Sequence, residues 1–391
     1  MSLRGSSLME NMSKPKVFHV ITKLEMGGAQ GNTLYTCAHL DKERFDVSLV
    51  CGEGGIMDGD ARAAGYPLHF VPSLTREINP ARDAAAFFAL RGLFARHKPE
   101  IVHTHSSKAG ILGRLAAKAA GVPVIVHTFH GFGFTPAQNP ALRQSFILAE
   151  KKCAEISSAL IFVSKANMDE ARKLGFPAGN WRLIRSGIDL SEFPPAGFDA
   201  AQTRVSLNLS HEARYVVSVG NFKPQKNPQD LIKMAALVAA KIPDVYFVFT
   251  GEGELLEQAK RLALRFEITN RCRFPGWRRD VPHILAGASA FALTSLWEGL
   301  PRAAVEALRA GVPGAYYDTD GVRDIIADGK NGFLVPRGDY GLAAEKITAL
   351  LSDKNLHDAV SAAARATDLR DFDIAEMVKS QERLYCELLC I

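Results

Sequence analysis

The sequence predicts an α/β protein of two domains, each built on a doubly wound parallel sheet, and three observations predict it. Short apolar runs of strand length alternate with helix-length amphipathic segments from Lys16 almost to the end of the chain, which is the pattern of repeated βαβ units. Glycines and polar residues gather just after those runs, where open α/β sheets bind ligands. A chain of 391 residues is long for one core and comfortable for two of about 190.

Composition narrows the class. The chain is 47% hydrophobic and 23% charged, as expected of a soluble globular enzyme rather than a disordered or fibrous protein. Its six cysteines, at 37, 51, 153, 272, 386 and 390, contain no C-x-x-C; they read as scattered thiols in a reducing compartment, without a zinc framework or disulfide set. The opening MSLRGSSLMENMSK is polar, so it reads as neither signal peptide nor anchor, with Met9 and Met12 as alternative starts. No run approaches the roughly 18 apolar residues of a membrane span, and the expected location is the cytoplasm. Charge is uneven: residues 1–190 carry 23 Lys+Arg against 16 Asp+Glu, a net of +7, and the remainder 24 against 26, a net of −2. A basic half suggests an anionic substrate or surface. Nucleic acid is not expected, since no basic cluster interleaved with aromatics and no recognition helix is present.

In chain order, KVFHVI (16–21) is a first buried strand. It runs into Gly27-Gly28-Ala29-Gln30-Gly31-Asn32, and LYTCAHL has helical spacing after it. A glycine-rich turn between strand and helix lets the backbone approach an anion, although G-x-G-x-x-G, the dinucleotide fingerprint, is absent. FDVSLVC, a helix near 57–64 and PLHFVP follow. Residues 80–98 form an amphipathic helix with Phe87, Phe88, Leu90 and Phe94 among its apolar positions and Arg91, Arg96 and Lys98 near its end. It suits a helix packed on a sheet, or a peripheral contact with an anionic membrane. IVHTH is a strand, 106–119 a helix and VPVIVHTFH a strand. His103, His105 and Lys108 follow the first of these, and His127 and His130 the second. No carboxylate or cysteine stands at ligand spacing from these histidines, so no metal is expected.

A helix at 142–157 and the strand ALIFVS lead to the turn-rich stretch 186–200, the expected interdomain hinge. The second domain opens with YVVSVGNFKPQKNP, where a lysine in a polar loop suits a phosphate. YFVFTGEGELLEQA gives a strand, a turn and a helix. In LTSLWEGLPRAAVEALRAGVP (293–313) a strand ends in Thr294-Ser295 and a loop carries Glu298-Gly299-Leu300. Pro301 then opens a helix that Gly311 and Pro313 close. Judged alone, Glu298 and Glu306 suit a solvated loop charge and an exposed helix residue as well as they suit carboxylates that accept from the hydroxyls of a bound ligand. The last helix is expected over 372–389.

Several of these stretches resemble, in the right order, the motifs of the retaining glycosyltransferases of family 4, which have the GT-B fold. They are Gly27-Gly28-Ala29-Gln30; H-T-x-H-G-F ending in His130-Gly131-Phe132; S-G-I-D at 186–189, where the family has N-G-V/I-D; Gly220-Asn221 followed by Lys226; and E-x7-E at Glu298 and Glu306 with Gly-Val-Pro after it. S-K-A-G-x-x-G-R-x-A-A, from Ser107, resembles members that build bacterial surface polysaccharides on polyprenyl-diphosphate carriers. The chain departs from the family pattern where Asn221 replaces the arginine that accompanies the lysine, and where Asp320-Gly321 and Asp324 stand for Gly-Gly and Glu.

The resemblance implies two Rossmann-like domains facing a central cleft. The acceptor-side domain would be 1–190, with 370–391 packing back on it, and the nucleotide-sugar donor domain 200–369. It implies sugar transfer with retention from a nucleoside diphosphate sugar, a UDP-sugar by the surface-polysaccharide likeness, to a hydroxyl of a glycan or lipid-linked acceptor. Glu298 would orient the sugar hydroxyls, His130 would contact the sugar, and Lys226 would stabilise the departing diphosphate. Donor contacts would also come from Gly27, Gly28, Asn221, Trp277, Arg278, Gly299, Leu300 and, at the ribose, Glu306. Lys223 and Arg302 are the candidates to supply the charge missing at Asn221. Lys108 and Arg76 are candidate acceptor contacts. No metal or other cofactor is required, and a peripheral contact with the inner face of the membrane is compatible. A GT-B sugar-nucleotide 2-epimerase and a sugar-nucleotide-binding protein without catalysis share these features and are the alternatives.

Overall fold

The computed structural model describes residues 13–134 and 138–391, which divide into two compact units. The first takes in the described residues to Phe162, then Ala171–Ile184 and Val378–Ile391; the second is Val163–Glu170 and Arg185–Met377. Residues 186–200 lie within the second unit, where Ile188 bridges to Asp373.

The first unit is a parallel sheet of β1 (Lys16–Lys23), β2 (Asp46–Gly52), β3 (Leu68–Phe70), β4 (Ile101–His105), β5 (Val124–Phe129), β6 (Ala159–Phe162) and β7 (Trp181–Leu183), in the order β3-β2-β1-β4-β5-β6-β7. Its central strands are buried on both faces, which is why they read as continuous apolar runs rather than as an alternation. One face, with Phe18, Val20, Val102 and Ile125, packs on Leu90 and Phe94 of the helix Pro80–His97 and on Ala109, Ala116 and Ala117 of the helix Ser107–Ala119. The other face is polar where His19 aligns with His103, and His105 with Thr128. The helix Ile374–Leu389 brings Tyr385 to it.

The second unit is a parallel sheet of β8 (Arg214–Val219), β9 (Val245–Thr250), β10 (Cys272–Arg273), β11 (Ala290–Leu293), β12 (Gly314–Tyr317) and β13 (Phe333–Val335), in the order β10-β9-β8-β11-β12-β13. Helices Pro228–Lys241 and Tyr340–Ser352 cover one face with Ile232, Met234, Ala235 and Ile347. The helix Arg302–Ala310 covers the other with Ala304, Val305, Ala307 and Leu308.

Two helices differ from the sequence reading, and a short turn adds to it. The first helix spans Gly28–His39 and so begins inside the glycine run. The Gly31 N–H donates to the Gly27 carbonyl at 3.0 Å, so glycines that would weaken a helix interior here form its first turn, where packing outweighs propensity. After Thr319 the chain makes a single 3-10 turn, Asp320–Val322. The last helix starts at Ile374, because Arg370–Phe372 form a separate 3-10 turn.

Candidate active site

At the carboxyl end of the second sheet, β8 runs into Gly220-Asn221 and β9 into Gly251. A Cβ on Gly251 would lie 2.1 Å from the Gly220 carbonyl oxygen, and its φ of 118° is one that side-chain-bearing residues avoid. The two loops therefore touch backbone to backbone. The Gly220 N–H donates to the Thr250 carbonyl at 3.2 Å, and the Phe222 N–H to the Glu252 carbonyl at 2.9 Å. Behind them, Ser218, Val219, Asn221, Phe222, Lys226 and Leu293 line a small cavity.

The loop carrying Lys226 is fixed to the loop carrying Glu298 by backbone groups and by two side chains. The Leu296 N–H donates to the Gln225 carbonyl at 2.8 Å. Gln225 Nε2 donates to the Trp297 carbonyl at 2.9 Å and reaches Glu298 Oε2 at 3.4 Å. Thr294 Oγ1 donates to the carbonyls of Lys226 and Asn227 at 3.1 and 3.2 Å. Lys226 and Glu298, 72 positions apart, then form an ion pair in which the carboxylate is nearly buried and the lysine is about a fifth exposed.

Glu306 lies in the second turn of the helix Arg302–Ala310, for which Pro301 is the N-cap and Gly311 the left-handed C-cap. Burial raises the Glu306 carboxyl above its ordinary value; Arg302 opposes this most, Glu192 adds to it, and Lys226 also opposes it. Arg302 stands one turn before Glu306, at 3.9 Å. A Cβ on Gly321 would meet the Gly299 carbonyl oxygen at 2.1 Å, so the turn that begins with Asp320 presses directly on the Gly299-Leu300 loop.

The other expected donor contacts are spread over neighbouring loops. The Gly251 N–H donates to the Gly276 carbonyl at 2.8 Å, which brings the strand-end loop before Trp277 beside the Gly251 loop, with Trp277 half-buried. Arg278 is engaged locally: Nε and Nη2 hold both oxygens of Asp280 at 2.7 and 2.6 Å, and Nη2 reaches Ser206 Oγ at 3.0 Å. Asp324 accepts from the Lys165 N–H at 2.6 Å and pairs with Arg185.

In the first unit, Gly27 is the N-cap of the first helix and Gly28 its first residue. The expected acceptor cations are both neutralised by acids: Arg76 pairs with Glu25 at 3.0 Å, and Lys108 with Asp83 at 2.5 Å. His130 follows β5, and its Nε2 lies 3.1 Å from His105 Nδ1. His127 points to the opposite face, where Nδ1 meets Thr104 Oγ1 at 2.8 Å. Among the described residues, His19, His103 and His105 are a group close enough to share an ion. It includes no carboxylate, and its ring nitrogens already bond to one another, to Tyr385 and to Thr128. Gln225, Thr294, His19 and Tyr385 were not singled out by the sequence reading; a polar residue at a strand's carboxyl end was the available sign for Thr294, and none marked the others.

Two doubly wound parallel sheets, the second carrying Lys226, Glu298 and Glu306 beyond its strand ends, match the class of GT-B glycosyltransferases that the resemblance implies. The family model for glycosyl transferases group 1 matches residues 199–367, and that for glycosyltransferase family 4 matches 26–192. A UDP-Gal:α-D-GlcNAc-diphosphoundecaprenol α-1,3-galactosyltransferase of Escherichia coli is 32% identical over 96% of this chain and 98% of its own. The chain belongs to glycosyltransferase family 4 and is a glycosyltransferase. Among solved structures, Anabaena HepE in complex with UDP and glucose superposes with a TM-score of 0.83 at 20% identity, covering 95% of this chain and all of its own. Sucrose-phosphate synthase of Thermosynechococcus elongatus gives 0.82 at 19% identity, over 96% and 100%. Both likenesses concern the fold. Among the described residues no helix is long and apolar enough to cross a membrane.

Proposed function

We propose that the protein transfers a sugar, with retention, from a UDP-sugar to a hydroxyl of a polyprenyl-diphosphate-linked glycan. The observation that carries this reading is the Lys226–Glu298 ion pair at the carboxyl end of the second sheet, with Glu306 on the helix that follows the Glu298 loop. A compact ammonium there offsets the charge that develops on a departing diphosphate. Glu298 orients sugar hydroxyls, and Glu306 accepts from the ribose diol. The relative of E. coli supports the donor and acceptor class, and its α-1,3 linkage is retention if its donor is α-linked.

Retention without a carboxylate nucleophile requires the acceptor hydroxyl to attack from the face that the diphosphate leaves. The leaving phosphate oxygen takes the acceptor proton. Lys226, with Arg302 near Glu306, supplies charge stabilisation, so transfer needs no metal. His130 contacts the donor sugar by family resemblance, and Lys108 and Arg76 would meet the anionic acceptor once it displaces Asp83 and Glu25. Phe88, which is exposed, and the neighbouring Arg91 on the helix Pro80–His97 offer a peripheral contact with anionic lipid.

Incubation with UDP-galactose and an undecaprenyl-diphosphate-linked GlcNAc acceptor in excess chelator tests the reading. A glycosylated lipid product with an α linkage is expected. Release of free sugar or an isomerised nucleotide-sugar without acceptor modification would contradict it, as would strict dependence on a divalent ion.

A further inference from the structure

The polar face of the first sheet holds a continuous line of hydrogen-bonding groups with His130 at one end. His130 Nε2 lies 3.1 Å from His105 Nδ1, His105 Nε2 lies 3.0 Å from His19 Nδ1, and His19 Nε2 lies 3.4 Å from Tyr385 Oη. Tyr385 Oη also lies 2.5 Å from His103 Nδ1, whose Nε2 is 2.7 Å from Thr128 Oγ1. His19, His103, His105 and Tyr385 are almost wholly buried. Three strands and the last helix supply the line: the register puts His19 beside His103, and the two-residue repeat puts His105 and Thr128 on the same side.

Burial holds His19, His103 and His105 neutral, with their pKa values well below the ordinary 6.5. A neutral imidazole has one N–H and one lone pair. Two rings that share an N···N bond therefore cannot choose their tautomers independently, and the choice passes along the line. Tyr385 has a single proton. His103 Nδ1 at 2.5 Å is its shortest contact and Gln381 Oε1, at 3.4 Å, is a further acceptor; donated to either, the proton leaves the oxygen to accept from His19 Nε2–H. His19 Nδ1 must then accept from His105 Nε2–H, and His105 Nδ1 from His130 Nε2–H.

We infer that Tyr385, His19 and His105 form a tautomer relay that holds His130 in its Nε2–H form, leaving Nδ1 as the acceptor. These three are positioning residues. Nδ1 is buried in this structure; resting on the proposed donor-sugar contact of His130, the relay makes that contact, where the donor uncovers the atom, one in which a sugar hydroxyl donates to Nδ1 rather than accepts from it. Reversal of the line would make His130 a donor at the same position, with no change in heavy-atom geometry.

The test is long-range 15N–1H correlation on the full chain with 15N-labelled histidine rings, at alkaline pH, the His130 signals being assigned by their loss in His130→Gln. The wild-type protein is expected to show His130 as the Nε2–H tautomer. Tyr385→Phe removes the terminal acceptor and should move His130 to a mixture or to the Nδ1–H form; His19→Gln should do the same if Tyr385→Phe does not fold. A wild-type His130 in the Nδ1–H form, or an unchanged tautomer in the folded variant, would overturn the relay. The readout needs no donor, so it stands apart from the transferase reading. Wild-type kcat and KM in His130→Gln would remove the sugar contact while leaving the relay intact. With both in place, Tyr385→Phe should lower kcat about tenfold with little change in affinity for UDP, since only the sugar contact is altered.

Discussion

A diphosphate reaching Lys226 must compete with Glu298 for the same ammonium, so the two side chains should respond to substitution in opposite ways. Lys226→Ala should lower kcat by about 10²–10³, the usual cost of removing one preorganised donor at a developing charge, with a smaller loss of UDP affinity; a change confined to KM would contradict leaving-group stabilisation. Glu298→Gln removes the competing charge. UDP affinity measured by calorimetry should hold or rise while transfer falls. Glu306→Ala removes a largely buried acceptor, and UDP should bind about 10–100-fold more weakly, the equivalent of roughly 1.5–3 kcal/mol for hydrogen bonds to a charged group; unchanged affinity would refute its ribose role. Lys226 and the two glutamates were legible in the sequence because each sits in a motif with its own spacing. Their pairing was not, because Lys226 and Glu298 are joined only through contacts between two loops that Gln225 and Thr294 lock.

At the scale of elements, loop contacts without side chains and a face of buried histidines each have a measurable consequence. Gly321→Ala would put a Cβ 2.1 Å from the Gly299 carbonyl oxygen; backbone on both sides leaves nothing flexible to yield. The variant should be destabilised by about 1–3 kcal/mol, as for an overpacked site, and transfer should fall as the Glu298 loop shifts. Denaturant midpoint with unchanged slope would read the first, and wild-type stability would contradict the close approach. His19, His103, His105 and His127 have pKa values lowered chiefly by burial. Their folded values lie below the unfolded 6.5, so the stability they contribute is present above about pH 6.5 and is lost as pH falls, when the unfolded chain binds protons that the native one does not. Each can contribute up to about 1.4 kcal/mol per pH unit. Chemical denaturation at falling pH should show the loss steepening below pH 6.5 and easing when His127 is replaced by Gln; a flat profile would contradict the assignment. The strands were plain in the sequence as continuous apolar runs. The first helix was not placed correctly because glycine reads as a breaker, yet Gly28–His39 is held by its packing.

For the whole molecule, the alternation of strands and helices predicted both parallel sheets, and the order of motifs predicted the family, because each motif follows a strand end that the sheet order must place at one edge. The return of Val378–Ile391 to the first unit could be read only from resemblance: nothing local to Tyr385 says that it will meet His103. The central claim is that the second unit recognises a nucleoside diphosphate through Lys226 and Glu306 without a metal. Thermal stability of the full chain against UDP, GDP, ADP and CDP, each with chelator and each with magnesium, tests it most directly, since a ligand that binds only the native state at a hundredfold excess over Kd adds about 2.7 kcal/mol. A rise with UDP that is the same in chelator and in magnesium, and is lost in Glu306→Ala, is the predicted result. No rise with any of the four, or a rise only with magnesium, would contradict it.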